Sequence, residues 1–249
     1  MRKTILITGA SSGLGAGMAR LYAAQGHRLA LCARRVDRLR ALQAELERGS
    51  AGEAEVYVRE LDVTDHDQVF EVFGEIAESL GGVDRAIVNA GLGKGAPIGT
   101  GYFRANRQTA ETNVLGTLAQ CEAAMEIFRR ANRGHLVVIA SVSARRGARG
   151  AMTTYAATKA FAASLAEGIR SDVVGTDITV STILPGYIES EMTARAQRTP
   201  YIVDNETGVR AIVAAIDREP AEAVVPAWPW RPLSAAMRVL PLRLVRRLM

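Results

Sequence analysis

Tyr155 and Lys159 stand four residues apart, with Ser141 fourteen residues before the tyrosine. Four residues is about one helical turn, so the phenol and the ammonium project from one face of a helix. A phenol is a poor acid or base at neutral pH, because its ordinary pKa is about 10. A cation one turn away favours the phenolate and makes the hydroxyl usable for proton transfer. The chain has six Tyr and only three Lys (Lys3, Lys94, Lys159) in 249 residues, so coincidence is a poor explanation of the pair. Taken alone, the same spacing also describes a solvated contact on a helix surface.

These groups need a frame, and the N-terminus suggests one. Ile5-Leu6-Ile7 is a short apolar run with β-branched residues, as a buried parallel strand requires. Thr8-Gly9-Ala10-Ser11-Ser12-Gly13-Leu14-Gly15 follows, then a helical stretch from about 16 to 25. Strand, glycine-rich turn and helix together are the setting in which glycines cradle a dinucleotide. The glycines allow a tight turn and close backbone approach, and the helix start offers free N–H groups to a pyrophosphate. The spacing is Gly-x-x-x-Gly-x-Gly, which departs from the commoner Gly-x-Gly-x-x-Gly.

Strand-like runs recur at 3–8, 28–33, 55–60, 84–89, 135–140, 177–184 and 222–226. Helical patterns lie between them at 14–25, 36–48, 66–80, 104–131, 154–173 and 205–218. Alternation of this kind predicts an α/β fold, a doubly wound parallel sheet of about seven strands with helices on both faces. Gly49-Ser50-Ala51-Gly52 marks a loop. Residues 1–249 read as one domain, with 226–249 as a basic amphipathic C-terminal extension.

Composition narrows the function. Apolar residues make up 48% and charged residues 23%, ordinary for a globular chain. The net charge of +5 resides in the tail, since 223–249 holds Arg231, Arg238, Arg243, Arg246 and Arg247 and no acid. The rest balances, so no nucleic-acid-binding face is expected. No apolar run is long enough for a membrane span, and Met1-Arg2-Lys3 leads straight into a strand. Cys32 and Cys121 fall in buried patterns, so two free thiols in a reducing compartment are expected. The expected location is the cytoplasm. No metal-ligand spacing occurs, and His27, His66 and His135 read as isolated turn or surface residues.

With these residues in view, the chain resembles the short-chain dehydrogenase/reductase family in its single-domain form, over about residues 3–225. Thr8 to Gly15 is similar to the family's glycine turn, and Asp62-Val63 to the pair that contacts adenine. Asn89-Ala90-Gly91 matches the end of its Asn-Asn-Ala-Gly motif, with Val88 in place of the first Asn. Asn113, Ser141, Tyr155 and Lys159 match the catalytic tetrad. Pro185-Gly186 begins the segment that closes over nicotinamide, with Ile188 and Ser190 placed at its carboxamide; Ser190 replaces the commoner Thr.

The resemblance implies a Rossmann-type fold and hydride transfer between nicotinamide and a carbonyl or secondary alcohol. Ser141 would hydrogen-bond the substrate oxygen and Tyr155 would deliver its proton. Lys159 would hold the nicotinamide ribose and lower the Tyr155 pKa. Asn113 would anchor a water linking Lys159 to solvent. Ser143, two residues from Ser141 and so on the same side of a strand, remains a rival for the serine role. Homodimers or homotetramers built on the 104–131 and 154–173 helices are also implied.

Cofactor preference is legible at Ala33-Arg34-Arg35. An NAD site places a carboxylate near there for the adenosine 2′-hydroxyl. Here Ala33 takes that position, and Arg34, Arg35 and Arg38 follow. Guanidinium groups bind a 2′-phosphate, so NADP(H) is expected over NAD(H). Cations are disfavoured at a helix start, which itself suggests that an anion sits among them.

Three roles compete for the tail, whose apolar residues Met237, Leu240, Leu244 and Leu248 recur at helical spacing around Pro241. It could pack on the body or a sister subunit, attach to an anionic membrane, or cover the substrate mouth. Arg145-Arg146-Gly147-Ala148-Arg149 is either a solvated loop or a handle for an acidic substrate. The stretch 187–204, with Tyr187, Met192 and Tyr201, is the expected substrate-side lid. The leading function is therefore an NADP(H)-dependent oxidoreductase for a lipophilic carbonyl or alcohol. A 3-oxoacyl-thioester reductase is the closer rival, and a non-catalytic NADP(H)-binding sensor or scaffold the rival of another class.

Overall fold

The computed structural model describes residues 3–49, 54–195 and 199–248. Ser50 to Gly52 of the loop marker and 196–198 of the lid stretch lie outside the described residues. The first half of the chain alternates strand and helix. β1 (Thr4–Thr8) leads to α1 (Gly13–Ala24), β2 (Arg28–Ala33) to α2 (Val36–Gly49), and β3 (Val56–Glu60) to α3 (His66–Ser79). β4 (Arg85–Val88) is followed by α4 (Phe103–Ala110) and α5 (Gly116–Ala131), which a π-helical turn at Glu111–Leu115 joins into one run. Then come β5 (Arg133–Ile139), α6 (Met152–Asp172), β6 (Asp177–Pro185), α7 (Asn205–Ile216), β7 (Glu222–Val225), α8 (Ala227–Val239) and α9 (Leu242–Leu248).

The strands form one seven-stranded parallel sheet in the order β3-β2-β1-β4-β5-β6-β7. This is the Rossmann-type doubly wound α/β arrangement. Side chains alternate along each strand, so the central strands bury both faces. Ile5, Ile7, Leu29, Leu31, Val137 and Ile183 point to the layer of α1, α2 and α7. Leu6, Ala30, Ala86, Val88, Leu136 and Val180 point to the layer of α3, α5 and α6. Local chemistry starts the helices where it can: Asp65 caps α3 by accepting from the Gln68 amide (3.2 Å), and Asp204 caps α7 by accepting from the Thr207 amide (2.7 Å).

His135 corrects a sequence expectation. It sits on β5, only 2% exposed, in a polar cluster at the amino ends of the strands. Arg85 Nε donates to His135 Nδ1 (3.0 Å), so the ring proton resides on Nε2, 2.8 Å from Ser181 Oγ. The Arg85 guanidinium, 1% exposed, also reaches Asp217 (2.6 Å), Glu219 (3.1 Å) and the Tyr22 hydroxyl (3.2 Å). Burial, with the Arg85 charge beside it, pushes the His135 pKa down to about 3, so the ring is neutral. The cluster binds the end of α7 to the sheet on the side away from the glycine turn.

The tail lies on the body of its own chain. Trp230, Ser234 and Met237 are buried along α8, and Val245 along α9. Pro241 separates the two helices, as expected, but the buried face differs: Leu244 is 45% exposed and its neighbour Val245 points inward. The break at Pro241 resets the helical phase, so spacing counted through it does not predict the face.

Candidate active site

Strand order reverses between β1 and β4, and a cleft of about 500 Å³ opens beyond their carboxyl ends. Thr8 ties the two strand ends together. Its Oγ1 donates to the Ile87 carbonyl (3.3 Å) and accepts from the amides of Asn89 and Ala90 (3.0 Å each). Asn89 Nδ2 donates back to the Thr8 carbonyl (2.9 Å). Gly9 has φ of 65°, and a Cβ there would lie 2.9 Å from Ala90 Cα. A Cβ on Gly15 would lie 2.4 Å from the Gly9 carbonyl oxygen, so only glycine lets the turn close. Ser12 stands at the N-cap of α1, yet its hydroxyl does not cap the helix. The first amides of α1 therefore lack a side-chain acceptor among the described residues, and this glycine cradle fits a dinucleotide pyrophosphate.

Of the residues assigned from sequence to cofactor or catalysis, all but Gly15, Arg38 and Asn113 border the cleft. Gly15 is the packing residue behind the turn. Asn113 lies in the π turn, 1% exposed, with both hydrogens of its carboxamide engaged. Its Oδ1 accepts from the Leu92 amide (2.7 Å), and its Nδ2 donates to the Leu92 carbonyl (2.9 Å) and to Thr158 Oγ1 (3.1 Å). Asn106 makes the same two-way contact with the backbone of Ala96 (3.0 Å each), and Thr109 donates to the Lys94 carbonyl. Three polar side chains on one helix face thus hold alternate residues of the 92–96 segment, which forms the cleft wall after β4.

Tyr155 and Lys159 project from α6, with Lys159 Nζ 6.0 Å from the tyrosine ring centroid. The Lys159 ammonium donates to the Ile139 carbonyl (2.8 Å). Ser141 follows β5 and opens a short turn, its Oγ accepting from the Ser143 amide (3.1 Å) and donating to Ser143 Oγ (3.2 Å). Ser141 borders the cleft with Tyr155, and Ser143 stands behind it.

The electrostatics depart from expectation. Burial pushes the Tyr155 hydroxyl up to about 12, although a hydrogen bond with Ser141 opposes the rise. Burial pushes Lys159 down to about 8. Desolvation decides the direction, and Tyr155 is held as the neutral acid. The lowering that a four-residue spacing suggests is absent, because burial of the hydroxyl dominates.

The arginines divide. Arg34 Nη1 lies 3.7 Å from Asp62 Oδ2, on the side of the cleft formed by Asp62-Val63. Arg35 Nη2 donates to Ser12 Oγ (2.6 Å) and its Nε to Ser11 Oγ (3.2 Å). Arg35 and Arg38 both pair with Glu191, a residue that sequence reasoning passed over. Thr193 was likewise missed: its Oγ1 accepts from the Ser190 amide (2.8 Å) and donates to the Ile188 carbonyl (3.0 Å), folding the start of the lid onto itself. A Ser/Thr three residues after Ser190 was the one local signal.

Behind the lid, Trp230 covers Gly186, where a Cβ would come within 2.1 Å of the indole Nε1. Tyr187 and Tyr201 meet the same indole edge-on, at centroid distances of 5.5 and 6.2 Å. The tail thus packs beneath Gly186, Tyr187 and Tyr201. Within the 145–149 stretch, the Arg145 side chain is 8% exposed and pairs with Glu222 at the start of β7, away from the cleft.

Residues 3–200 match the family model described as short chain dehydrogenase. The chain belongs to the short-chain dehydrogenase family. An uncharacterized oxidoreductase of Mycobacterium tuberculosis is 54% identical over 246 residues, covering 99% of this chain and 97% of that one. A short-chain dehydrogenase from Sphingobium yanoikuyae, solved in complex with NADPH, is 29% identical with a TM-score of 0.81, covering 96% and 97% of the two chains. A family member from Burkholderia phymatum, solved in complex with NAD, shares the fold at a TM-score of 0.84 and 20% identity, covering 96% and 92%. This short-chain dehydrogenase is accordingly an oxidoreductase, with relatives of known structure that hold nicotinamide cofactors.

Proposed function

We propose that this short-chain dehydrogenase uses NADP(H) to interconvert a lipophilic carbonyl compound and its secondary alcohol. The observation that carries the reading is the convergence of Tyr155, Lys159 and Ser141 on the same cleft as the glycine turn. The turn and the start of α1 would hold the pyrophosphate, and Asp62-Val63 the adenine. Lys159 would hold the nicotinamide ribose, and Pro185-Gly186, Ile188 and Ser190 the carboxamide. When bound, the nicotinamide supplies or accepts hydride. The Ser141 hydroxyl polarises the substrate oxygen by donating a hydrogen bond to it. Tyr155, kept protonated by its burial, gives its proton to that oxygen as negative charge develops. Asn113 keeps the cleft wall in place through Leu92, and the second lone pair of its Oδ1 is left for the water that would link Lys159 to solvent.

Arg34, Arg35 and Arg38, with no carboxylate at Ala33, support NADP(H) over NAD(H). Tyr187, Met192 and Tyr201 on the substrate side support an apolar substrate, and the engagement of Arg145 by Glu222 weighs against an acidic thioester handle. Phe103 and Leu115, 73% and 46% exposed on the α4–α5 run, support a homo-oligomer built on that face. Two free, buried thiols support residence in the cytoplasm. The test is NADPH consumption by the purified protein against ketones and aldehydes graded in chain length and ring size, with Tyr155→Phe as blank. Turnover that rises with apolar size and vanishes in the variant is expected. Tight NADPH binding with no turnover across the panel would favour a cofactor-sensing protein instead.

A further inference from the structure

We propose that Glu191 is a cofactor-specificity residue: its carboxylate competes with the 2′-phosphate of the cofactor for Arg35 and Arg38, and NADP(H) displaces it, freeing the lid. The inference rests on the NADP(H) reading above and adds to it an internal competitor.

Three observations carry it. Glu191 uses both oxygens, Oε2 accepting from Arg35 Nη1 (2.9 Å) and Oε1 from Arg38 Nη1. Arg35 in turn holds the hydroxyls of Ser11 and Ser12 in the glycine turn. One carboxylate therefore sits at a node of two guanidiniums and two hydroxyls, all at the beginnings of α1 and α2. That donor set suits a phosphate, which offers three acceptor oxygens and nearly two charges where Glu191 offers two oxygens and one. The cations also face the positive end of α2, so the node holds an anion in either state.

The second observation is position. Glu191 belongs to the segment after β6, whereas Arg35 and Arg38 follow β2, and Arg35, Ser11, Ser12 and Glu191 all border the one cleft. The ion pair thus spans the cleft from the lid to the adenosine side. The third is what flanks Glu191 in the chain. Met192 lies across Gly93 on the opposite wall, where a Cβ would meet its Cγ at 2.7 Å and its Sδ at 2.8 Å. Ser190 and Thr193 close the intervening turn. The lid start is one compact unit, pinned to one wall by charge and to the other by apolar contact, and loss of the charged pin lets it move as a body. NAD(H) lacks the group that would displace the carboxylate, so the two cofactors leave the lid in different states.

The two nucleotide halves 2′,5′-ADP and 5′-AMP, which differ only in the 2′-phosphate, separate the possibilities in the full-length protein. Glu191 is 55% exposed, so Glu191→Gln leaves the fold intact. Calorimetric titration should show 2′,5′-ADP binding about tenfold tighter to Glu191→Gln than to wild type, with 5′-AMP within twofold. Glu191→Asp, which keeps the charge, should stay near wild type. Tryptophan emission reports the lid through Trp230, which touches Tyr187 and Tyr201. It should change in wild type with 2′,5′-ADP but not with 5′-AMP, and Glu191→Gln should show the changed emission before any nucleotide is added. If wild type prefers 2′,5′-ADP and Glu191→Gln binds it equally or more weakly, the competitor is refuted and the NADP(H) reading stands. If neither protein distinguishes the two nucleotides, both fall.

Discussion

Replacing Lys159 with Met should stabilise the cofactor-free protein at neutral pH while abolishing turnover. Lys159 is 7% exposed, and burial holds its pKa at about 8 against the ordinary 10.5. Below pH 8 folded and unfolded chains both carry the proton, and the buried cation costs roughly 3 kcal/mol, at about 1.4 kcal/mol per tenfold change in proton affinity. Met fills nearly the same volume without charge. The Ile139 carbonyl loses its 2.8 Å partner, which costs about 1 kcal/mol. The net gain of about 2 kcal/mol corresponds to a rise in Tm of roughly 4–8 °C for a chain of this size. The pH dependence has a definite sign. From pH 8 to 10.5 the unfolded lysine is protonated and the folded one is not, so wild-type stability climbs across that window and the Met variant lacks the climb. Thermal unfolding of both cofactor-free proteins from pH 7 to pH 10.5, beside an NADPH turnover assay, tests this. A variant less stable than wild type at pH 7, or two curves that run parallel to pH 10.5, would refute the argument from burial.

Tyr155→Phe should remove turnover yet leave NADPH affinity within a few-fold, measured by calorimetry; substantial residual turnover would overturn the proton-donor role. Arg34→Ala and Arg35→Ala should each weaken NADPH by about tenfold or more and NADH by little, since a charge-assisted contact to phosphate is worth about 1.5–3 kcal/mol. Equal losses for both cofactors would refute 2′-phosphate recognition. Trp230→Ala should cost about 3–5 kcal/mol in urea unfolding and raise KM more than it lowers kcat, because it removes the support under Gly186, Tyr187 and Tyr201. Trp230→Phe should cost much less, as the buried Nε1 has no hydrogen-bond partner among the described residues.

What was legible in the sequence was what short-range pattern encodes. Alternating apolar runs placed the seven strands to within a residue or two, and Thr8 to Gly15 could be read because strand, turn and helix are contiguous. The contacts that escaped join residues far apart. Glu191 meets Arg35 across 156 positions, and no local feature links an acid in a lid to an arginine cluster after β2. His135 looked isolated because its partners Arg85 and Ser181 arrive on neighbouring strands. Arg145 looked solvated because Glu222 lies 77 positions on. The Tyr155 pKa failed for another reason: spacing reports which charges are near, and burial, which here decides the direction, depends on everything packed around the ring.

The π turn at Glu111–Leu115 makes this enzyme sensitive to residue count. The sheet-facing row of α5, including Cys121, Ala124 and Phe128, and the loop-holding row of Asn106, Thr109 and Asn113 belong to one continuous helical run. Their relative phase is set by the wider turn, which carries Asn113 itself and precedes the α5 row, since each residue advances an α-helix by about 100°. Losing one residue there would swing one row or the other about a quarter turn off its target. Either the core face would rotate away from the sheet, or the 92–96 wall would lose its side-chain ladder. A single deletion within 111–115 therefore damages the enzyme more than most substitutions at the same positions, and length in this stretch is as much a part of the active site as residue identity.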